Sequence, residues 1–456
     1  MSTFAITFAG GAQTPTGSNF ILDVGGKRIL IDCGLYQGEK VSLDNNMAPF
    51  TYDVKSIDAL FITHSHLDHV GRIPKLVRDG YNNPIYSTAP TRELAELVLL
   101  DSMGVLGKEA KRDNKPLLYE EKDVFDSMRL WHDLTYHQKF EIEAAEGAII
   151  AEYYDSGHIL GSGIITFTYK GKKIAFTGDL GNTPSPLMRD TEVLTDIDYL
   201  AIESVYGDRN HEDYSTRIEL LKDAILSTIK RGGTLMIPAF SIERTQELLF
   251  YFNQLVEKKE IPLVPVYLDS PLAINVTAVY KKYESLFNVT ADSIIKGGDD
   301  IFAFKGLVMT KSPEDSKAIN GVTGPKVIIA GSGMSNGGRI LHHEARYLSD
   351  EKNTLLVVGY QATGTLGRKL VDGAKEIIIH GMPVQVRARI VNIHGFSAHK
   401  DSDHLVEFAG ASHAKLKKVF VILGEPKSAY FLAQRLHEEY GYDVTVPELD
   451  QKIELD

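Results

Sequence analysis

Three imidazoles and a carboxylate stand within six residues in the run His64-Ser65-His66-Leu67-Asp68-His69, the densest chemical signal in the chain. Imidazole nitrogen suits zinc, and the interleaved carboxylate adds the charge that a second ion or a metal-bound water requires. The bland alternative is a polar helix start that collects histidines by accident. Two later residues could complete a metal centre. His158 in SGHILGS and Asp179 in FTGDLG each follow a β-rich run. Taken alone, the histidine reads as a structural or surface residue and the aspartate as a turn residue or helix cap. Taken with Asp32, which ends ILID, and with the histidine run between them, they form a coherent two-metal set.

Such a centre needs elements that aim these side chains at one point. The stretch IDALFIT has the pattern of a buried strand, and Leu67, Val70, Ile73 and Leu76 then recur at helical spacing up to Gly80, so the histidines fall at a strand-to-helix junction. Upstream, NFILDV and KRILID flank Gly25-Gly26, a dipeptide suited to a tight hairpin turn. GAIIAEYY, GIITFTYK and KKIAFTGD read as further strands. Beyond about residue 206 helices and strands alternate, from TRIELLKDAILSTIKRGG through TLMIPAF to PLAINVTAVYKKYESLF, which favours a parallel, doubly wound unit. KVFVILG and the amphipathic SAYFLAQRLHEEYG close the chain.

The 456 residues are 43% hydrophobic and 24% charged, enough to bury two cores, so disorder and collagen-like order are excluded. A formal net charge of -12 rules out a diffuse positive field that would draw the whole protein onto nucleic acid or an anionic membrane. Any nucleic-acid site must then be a local groove. The single cysteine, Cys33, cannot form an intrachain disulfide, which suits a reducing cytoplasm. No run reaches the roughly 18 apolar residues needed to cross a bilayer, and the expectation is a cytoplasmic protein with no membrane partner.

At this point the sequence resembles the metallo-β-lactamase superfamily, and within it the β-CASP nucleases. The resemblance rests on Asp32 in ILIDCG, the H-x-H-x-D-H run, His158 and Asp179, and on the longer stretches GSNFILDVGGKRILIDCGLYQG, IESVYGDRNH, GTLMIPAFSIERTQELL, IIAGSGMSNGGRILHH, GYQATGTLGRKLVDGAKEIIIHG and GFSAHKD. It covers the whole chain. It implies an α/β fold: an αββα sandwich built from residues 1–205 and 396–456, with an inserted Rossmann-like β-CASP domain over residues 206–395. It also implies a zinc-dependent phosphodiesterase cutting single-stranded RNA.

Carried over position by position, the resemblance gives a first zinc to His64, His66 and His158 and a second to Asp68 and His69, with Asp179 bridging them. Asp32 falls where the family keeps an aspartate that orients the site through hydrogen bonds without binding metal. The family's acidic position falls on Glu203 and its following histidine on His399, so that Asp68, Glu203 and His399 form the expected catalytic set. The physical case is that two cations roughly 3.5 to 4 Å apart neutralise phosphate oxygens and acidify a water. An imidazolium kept charged by a neighbouring carboxylate then protonates the departing ribose oxygen.

Two glycine-rich stretches have a double reading. Ser332, Gly333, Gly337, Gly338 and Arg339 lie between a strand and a helix, where free amides favour phosphate oxygens; the same glycines also suit a tight turn. Thr365, in the stretch Thr363 to Lys369, reads as a second phosphate contact or as part of a solvated helix face. Arg209 and His211 are weaker candidates to line a cleft.

One position departs from the family. Where its ribonucleases place a metal-binding histidine, this chain has Leu423 in VILGEP, and leucine cannot donate to zinc, so a weaker second site is expected. That departure keeps open a DNA-directed β-CASP nuclease and a catalytically impaired RNA-binding paralogue, and the wider superfamily adds a small-substrate metallo-hydrolase, against which the long insertion weighs. The expectation is that no added RNA-binding module flanks these domains, so that capture of long RNA would call for partners or a homo-oligomer.

Overall fold

A computed structural model of the chain describes residues 4–38, 41–112, 114–211, 214–359, 361–362 and 364–455. The chain divides into two compact units, one formed by Met1–Asn210 with His399–Asp456 and the other by His211–Ala398.

In the first unit the described residues form two seven-stranded sheets. One runs in the order Lys452–Glu454, Phe4–Phe8, Phe20–Val24, Lys27–Ile31, Ala59–Phe61, Ile85–Thr88, Trp131–Leu134. The other runs Asp443–Thr445, Lys418–Ile422, Tyr199–Glu203, Lys172–Phe176, Gly163–Tyr169, Ala148–Asp155, Phe140–Glu143. Alternation along each strand decides what meets what, because successive side chains leave opposite faces. Tyr199, Ala201, Phe420 and Ile422 enter a core shared with Phe8, Phe20 and Phe61 of the first sheet. Leu200, Ile202, Val419 and Val421 point the other way, onto Leu405, Leu432 and Leu436 of the helices Ser402–Gly410 and Pro426–Tyr440. Aromatic pairs knit the two sheets: Phe8 with Phe420, Phe20 with Phe176 and Phe61 with Phe167, at centroid separations of 5.4, 6.1 and 5.1 Å. The helix Ala89–Arg112 packs on the strands Ile85–Thr88 and Trp131–Leu134, which completes an αββα sandwich.

The second unit carries a six-stranded parallel sheet in the order Leu307–Met309, Val266–Leu268, Lys326–Ala330, Thr234–Pro238, Thr354–Val358, Arg389–Ile393. Met236, Ile328, Leu355 and Val357 pack with Ile340 and Leu348 in its core. This is the doubly wound pattern that the alternation of strands and helices predicts.

The hairpin forms as expected, with Phe20 opposite Ile31 and positive φ at Gly25 and Gly26. One expectation needs correction. The helical periodicity from Leu67 to Leu76 is interrupted: Leu67–Val70 and Ile73–Arg78 are separate short helices broken at Gly71-Arg72. Pro74 has no N–H to give the Val70 carbonyl, so one continuous helix would lose a hydrogen bond there. The break leaves His69 in the last turn of a four-residue helix that ends at once.

Candidate metal centre and active site

The histidines are delivered by the ends of secondary structure in the first unit. The strand Ala59–Phe61 runs on through Thr63 to His64 and His66, alternate residues of extended chain that share a side, and His66 is the N-cap of the helix carrying Asp68 and His69. His158 sits in the turn between Ala148–Asp155 and Gly163–Tyr169, its N–H bonded to Ser162 Oγ at 3.1 Å. Asp179 follows the strand Lys172–Phe176 after Gly178, where an added Cβ would lie 2.6 Å from Thr63 Cβ. The bare backbone at Gly178 is what lets that turn close onto the histidine segment.

The result is a tight convergence. One nitrogen or oxygen from each of His64, His66, His158 and Asp179 lies within 4.8 Å of all the others. His64 Nε2 and His158 Nε2 each stand 3.4 Å from Asp179 Oδ2, while His69 Nε2 stands 3.4 Å from the other oxygen, Oδ1. His66 Nδ1 lies 3.1 Å from His64 Nε2 and 3.3 Å from His158 Nε2. A second overlapping group joins Asp179 to Glu203 and His399: His399 Nδ1 is 3.2 Å from Glu203 Oε1 and 3.8 Å from Asp179 Oδ2. Glu203 ends a fully buried strand, and its Oε1 also accepts the Leu180 N–H at 2.7 Å. All the metal and catalytic residues singled out from the sequence therefore fall in the first unit, on the segments described here.

Burial and mutual charge tune these groups. Burial and neighbouring imidazoles push His66 and His158 well below the usual histidine range. For His69 burial acts against the cation, but the Asp179 and Asp32 carboxylates outweigh it and push the ring well above. His399 feels the same contest between burial and the carboxylates of Glu203 and Asp179, and rises to about 9. Burial would raise Asp179, yet His69, His64 and His399 hold it well below the carboxylate range. Burial raises Asp68 and Glu203.

Asp32 is fully buried and holds no position in the ligand cluster; its Oδ2 lies 2.7 Å from His69 Nδ1. Sequence reading missed the residues that fix this aspartate. Thr63 donates its N–H to Asp32 Oδ1 at 2.8 Å and places its hydroxyl 2.9 Å from Oδ2, and Ser18 Oγ donates to Oδ2 at 2.9 Å. Threonine and serine carry no spacing signal of their own, so only the fold could reveal them.

The glycine-rich residues lie in the second unit, between Lys326–Ala330 and the helix Ile340–Tyr347. Arg339 donates to Asp269 Oδ1 at 2.7 Å and to the carbonyls of Thr310 and Lys311. Thr365 caps its helix, accepting the Arg368 N–H at 3.1 Å. Ser332 Oγ accepts the Asn336 N–H at 3.1 Å. A Cβ on Gly338 would lie 2.2 Å from the Gly331 carbonyl oxygen, so turn geometry alone demands glycine there, whereas Gly337 is open. Thr363 lies outside the described residues. Arg209 pairs with Asp208 at 2.8 Å. Leu423 is 1% exposed in the inter-sheet core with Phe8 and Phe20, and its N–H donates to the Gly11 carbonyl at 2.8 Å.

The donor set fits a divalent metal. Imidazole nitrogens and a carboxylate are borderline and hard ligands of the kind zinc takes, and His69 Nε2, buried beside Asp179, has no hydrogen-bond partner. A two-sheet sandwich carrying such a centre defines a metal-dependent hydrolase.

Comparison with known proteins places it further. Residues 21–198 match the family described as metallo-beta-lactamase superfamily domain, residues 245–370 the Beta-Casp domain, and residues 383–447 the Zn-dependent metallo-hydrolase RNA specificity domain. The chain is 34% identical over 427 residues to Ribonuclease TTHA0252 of Thermus thermophilus, covering 94% of each protein. It is 32% identical over 454 residues to Transcription termination factor FttA of Methanosarcina mazei, covering 95% of this chain and 69% of that one. A crystal structure of a protein of unknown function from Enterococcus faecalis matches the fold at TM-score 0.57 and 14% identity, over 99% of this chain and 100% of that one. The chain belongs to the β-CASP family of the metallo-β-lactamase superfamily.

Proposed function

We propose that the protein is a zinc-dependent ribonuclease that hydrolyses phosphodiester bonds of single-stranded RNA. The observation that carries this reading is the division of Asp179: Oδ2 faces His64 and His158 while Oδ1 faces His69, each at 3.4 Å, the disposition of a carboxylate shared between two cations. The relative named a ribonuclease and the match to an RNA specificity domain favour RNA over DNA or a small substrate. We assign residues 1–205 and 396–456 to the metallo-β-lactamase domain and 206–395 to the β-CASP insertion.

In this reading His64, His66 and His158 would hold the first zinc and Asp68 and His69 the second, with Asp179 available to both. When bound, the two ions supply Lewis acidity, which draws charge from phosphate oxygens and makes water a stronger acid. The chain's own groups do the rest. With Nε2 on a metal, the remaining proton of His69 would sit on Nδ1, facing Asp32 Oδ2 at 2.7 Å. Glu203, whose Oε1 lies 3.2 Å from His399 Nδ1, is the carboxylate that favours the protonated imidazole there. As the phosphorus bond to the departing ribose oxygen breaks, His399 transfers its proton to that oxygen.

Leu423 favours an unequal pair of metals. Its side chain belongs to the apolar core, so this position adds no donor, and the second ion has Asp68, His69 and Asp179 from the protein. The test is incubation of purified protein with labelled single-stranded RNA, with and without chelator, alongside the same sequence as DNA. Cleavage of RNA that chelator abolishes and zinc restores is expected. Equal cleavage in both tubes, none in either, or preference for the DNA overturns the reading.

A further inference from the structure

We infer that Phe240 is a stacking platform for one nucleobase of the substrate, a binding residue in the second unit; the inference rests on the ribonuclease reading. All five residues of Thr234–Pro238 are buried and Ala239 is buried after them, yet the next side chain, Phe240, is 45% exposed. Phe125 and Phe431 are about as exposed, but both lie on helices, whereas Phe240 stands just past the carboxyl end of a fully buried strand of the parallel sheet.

The ring is held in place. A Cβ built on Gly333 would meet Phe240 Cγ, Cδ2 and Cε2 at 2.6 to 2.9 Å, so the bare glycine backbone lies against the ring. The Thr245 hydroxyl donates to the Phe240 carbonyl at 2.7 Å, the Gln246 amide donates to the Ser241 carbonyl at 3.2 Å, and the Ala239 N–H donates to the Ala330 carbonyl at 3.0 Å. Ordering a flexible aromatic around a ligand costs entropy; here hydrogen bonds fix the backbone on either side of Phe240 and the Gly333 backbone already backs the ring.

Its surroundings are polar. Ser241 Oγ and Ser270 Oγ stand 3.4 Å apart, each 3.8 Å from the point a Gly331 Cβ would occupy. These residues follow the carboxyl ends of the adjacent parallel strands Thr234–Pro238, Lys326–Ala330 and Val266–Leu268, the edge at which open α/β sheets bind ligands. A rigid aromatic face beside hydroxyls at that edge suits a base with its ribose and phosphate, and stacking of this kind tolerates any base.

Two variants test the inference. Phe240→Ala should raise KM for a short unstructured RNA by about five- to a hundredfold, the range of one lost base stack, with kcat within about twofold, because stacking is equal in ground and transition states. Phe240→Trp places an exposed indole in a chain whose single native tryptophan, Trp131, is buried; oligoadenylate added to metal-free protein should quench its fluorescence while KM stays near native. Native KM in the alanine variant, or an indole that saturating oligoadenylate leaves unmoved, overturns the inference and leaves the ribonuclease reading standing. Failure of the native chain to cut RNA with zinc overturns that parent reading instead, and is measured first.

Discussion

His69 is held between carboxylates that come from the two different sheets: Nδ1 lies 2.7 Å from Asp32 Oδ2 and Nε2 lies 3.4 Å from Asp179 Oδ1. Asp32 follows the strand Lys27–Ile31 of one sheet and Asp179 follows Lys172–Phe176 of the other, so the closure of the sandwich is what orients this ring.

Asp32→Asn tests that relationship. Asp32 has φ 58, a left-handed conformation that asparagine tolerates, so the substitution keeps the backbone and removes the charge. Zinc affinity, read by competition with a chelating dye, should fall about 10- to 100-fold, as it does when a partner of a ligating imidazole is lost. An unchanged affinity means that Asp32 serves the fold alone.

His399→Ala should retain zinc by elemental analysis and lose about 10²- to 10⁴-fold in kcat, the usual worth of a positioned acid. Glu203→Gln should lower kcat less, because the imidazole remains and only its charge partner is weakened. Normal turnover in the alanine variant would remove His399 from the mechanism.

Graded chelation should release zinc in two phases. On the proposed assignment, the ion at Asp68 and His69 should leave first, because Leu423 is buried in the core and contributes no donor, and the ion assigned to His64, His66, His158 and Asp179 should leave later. Release of both equivalents at one chelator concentration contradicts the unequal pair.

Glu344 gives a pH dependence of stability in the second unit. It is fully buried, its Oε1 accepts the Ser335 hydroxyl, and burial raises it to about 8 from 4.5. Between those values the folded chain holds a proton that the unfolded chain has released. The stabilisation is therefore complete below the lower value and is lost as pH rises to about 8. Thermal melts at pH 6 and pH 9 should show a smaller fall in Tm for Glu344→Gln than for the native chain; parallel falls refute the argument.

Much of this was legible in the residues themselves. Runs such as GIITFTYK and KKIAFTGD are strands, and the alternation after residue 206 is a parallel sheet, because local hydrophobic period reflects which face is covered. The helix Ala89–Arg112 carries no strong apolar stripe, so its local pattern does not announce a helix. The pairing of Lys452–Glu454 with Phe4–Phe8 joins opposite ends of the chain and leaves no trace in any local pattern.

Residue types and spacing alone determined that a metal-ligating cluster stands at a strand-to-helix junction, because imidazoles two and five residues apart converge through local backbone geometry. Tertiary structure alone decided that Asp179 turns different oxygens to different histidines, that Thr63 and Ser18 anchor Asp32, and that Phe240 is left facing out over Gly333. Those relationships join residues far apart in the chain, and they exist only once the two sheets have closed on one core and the parallel strands have paired.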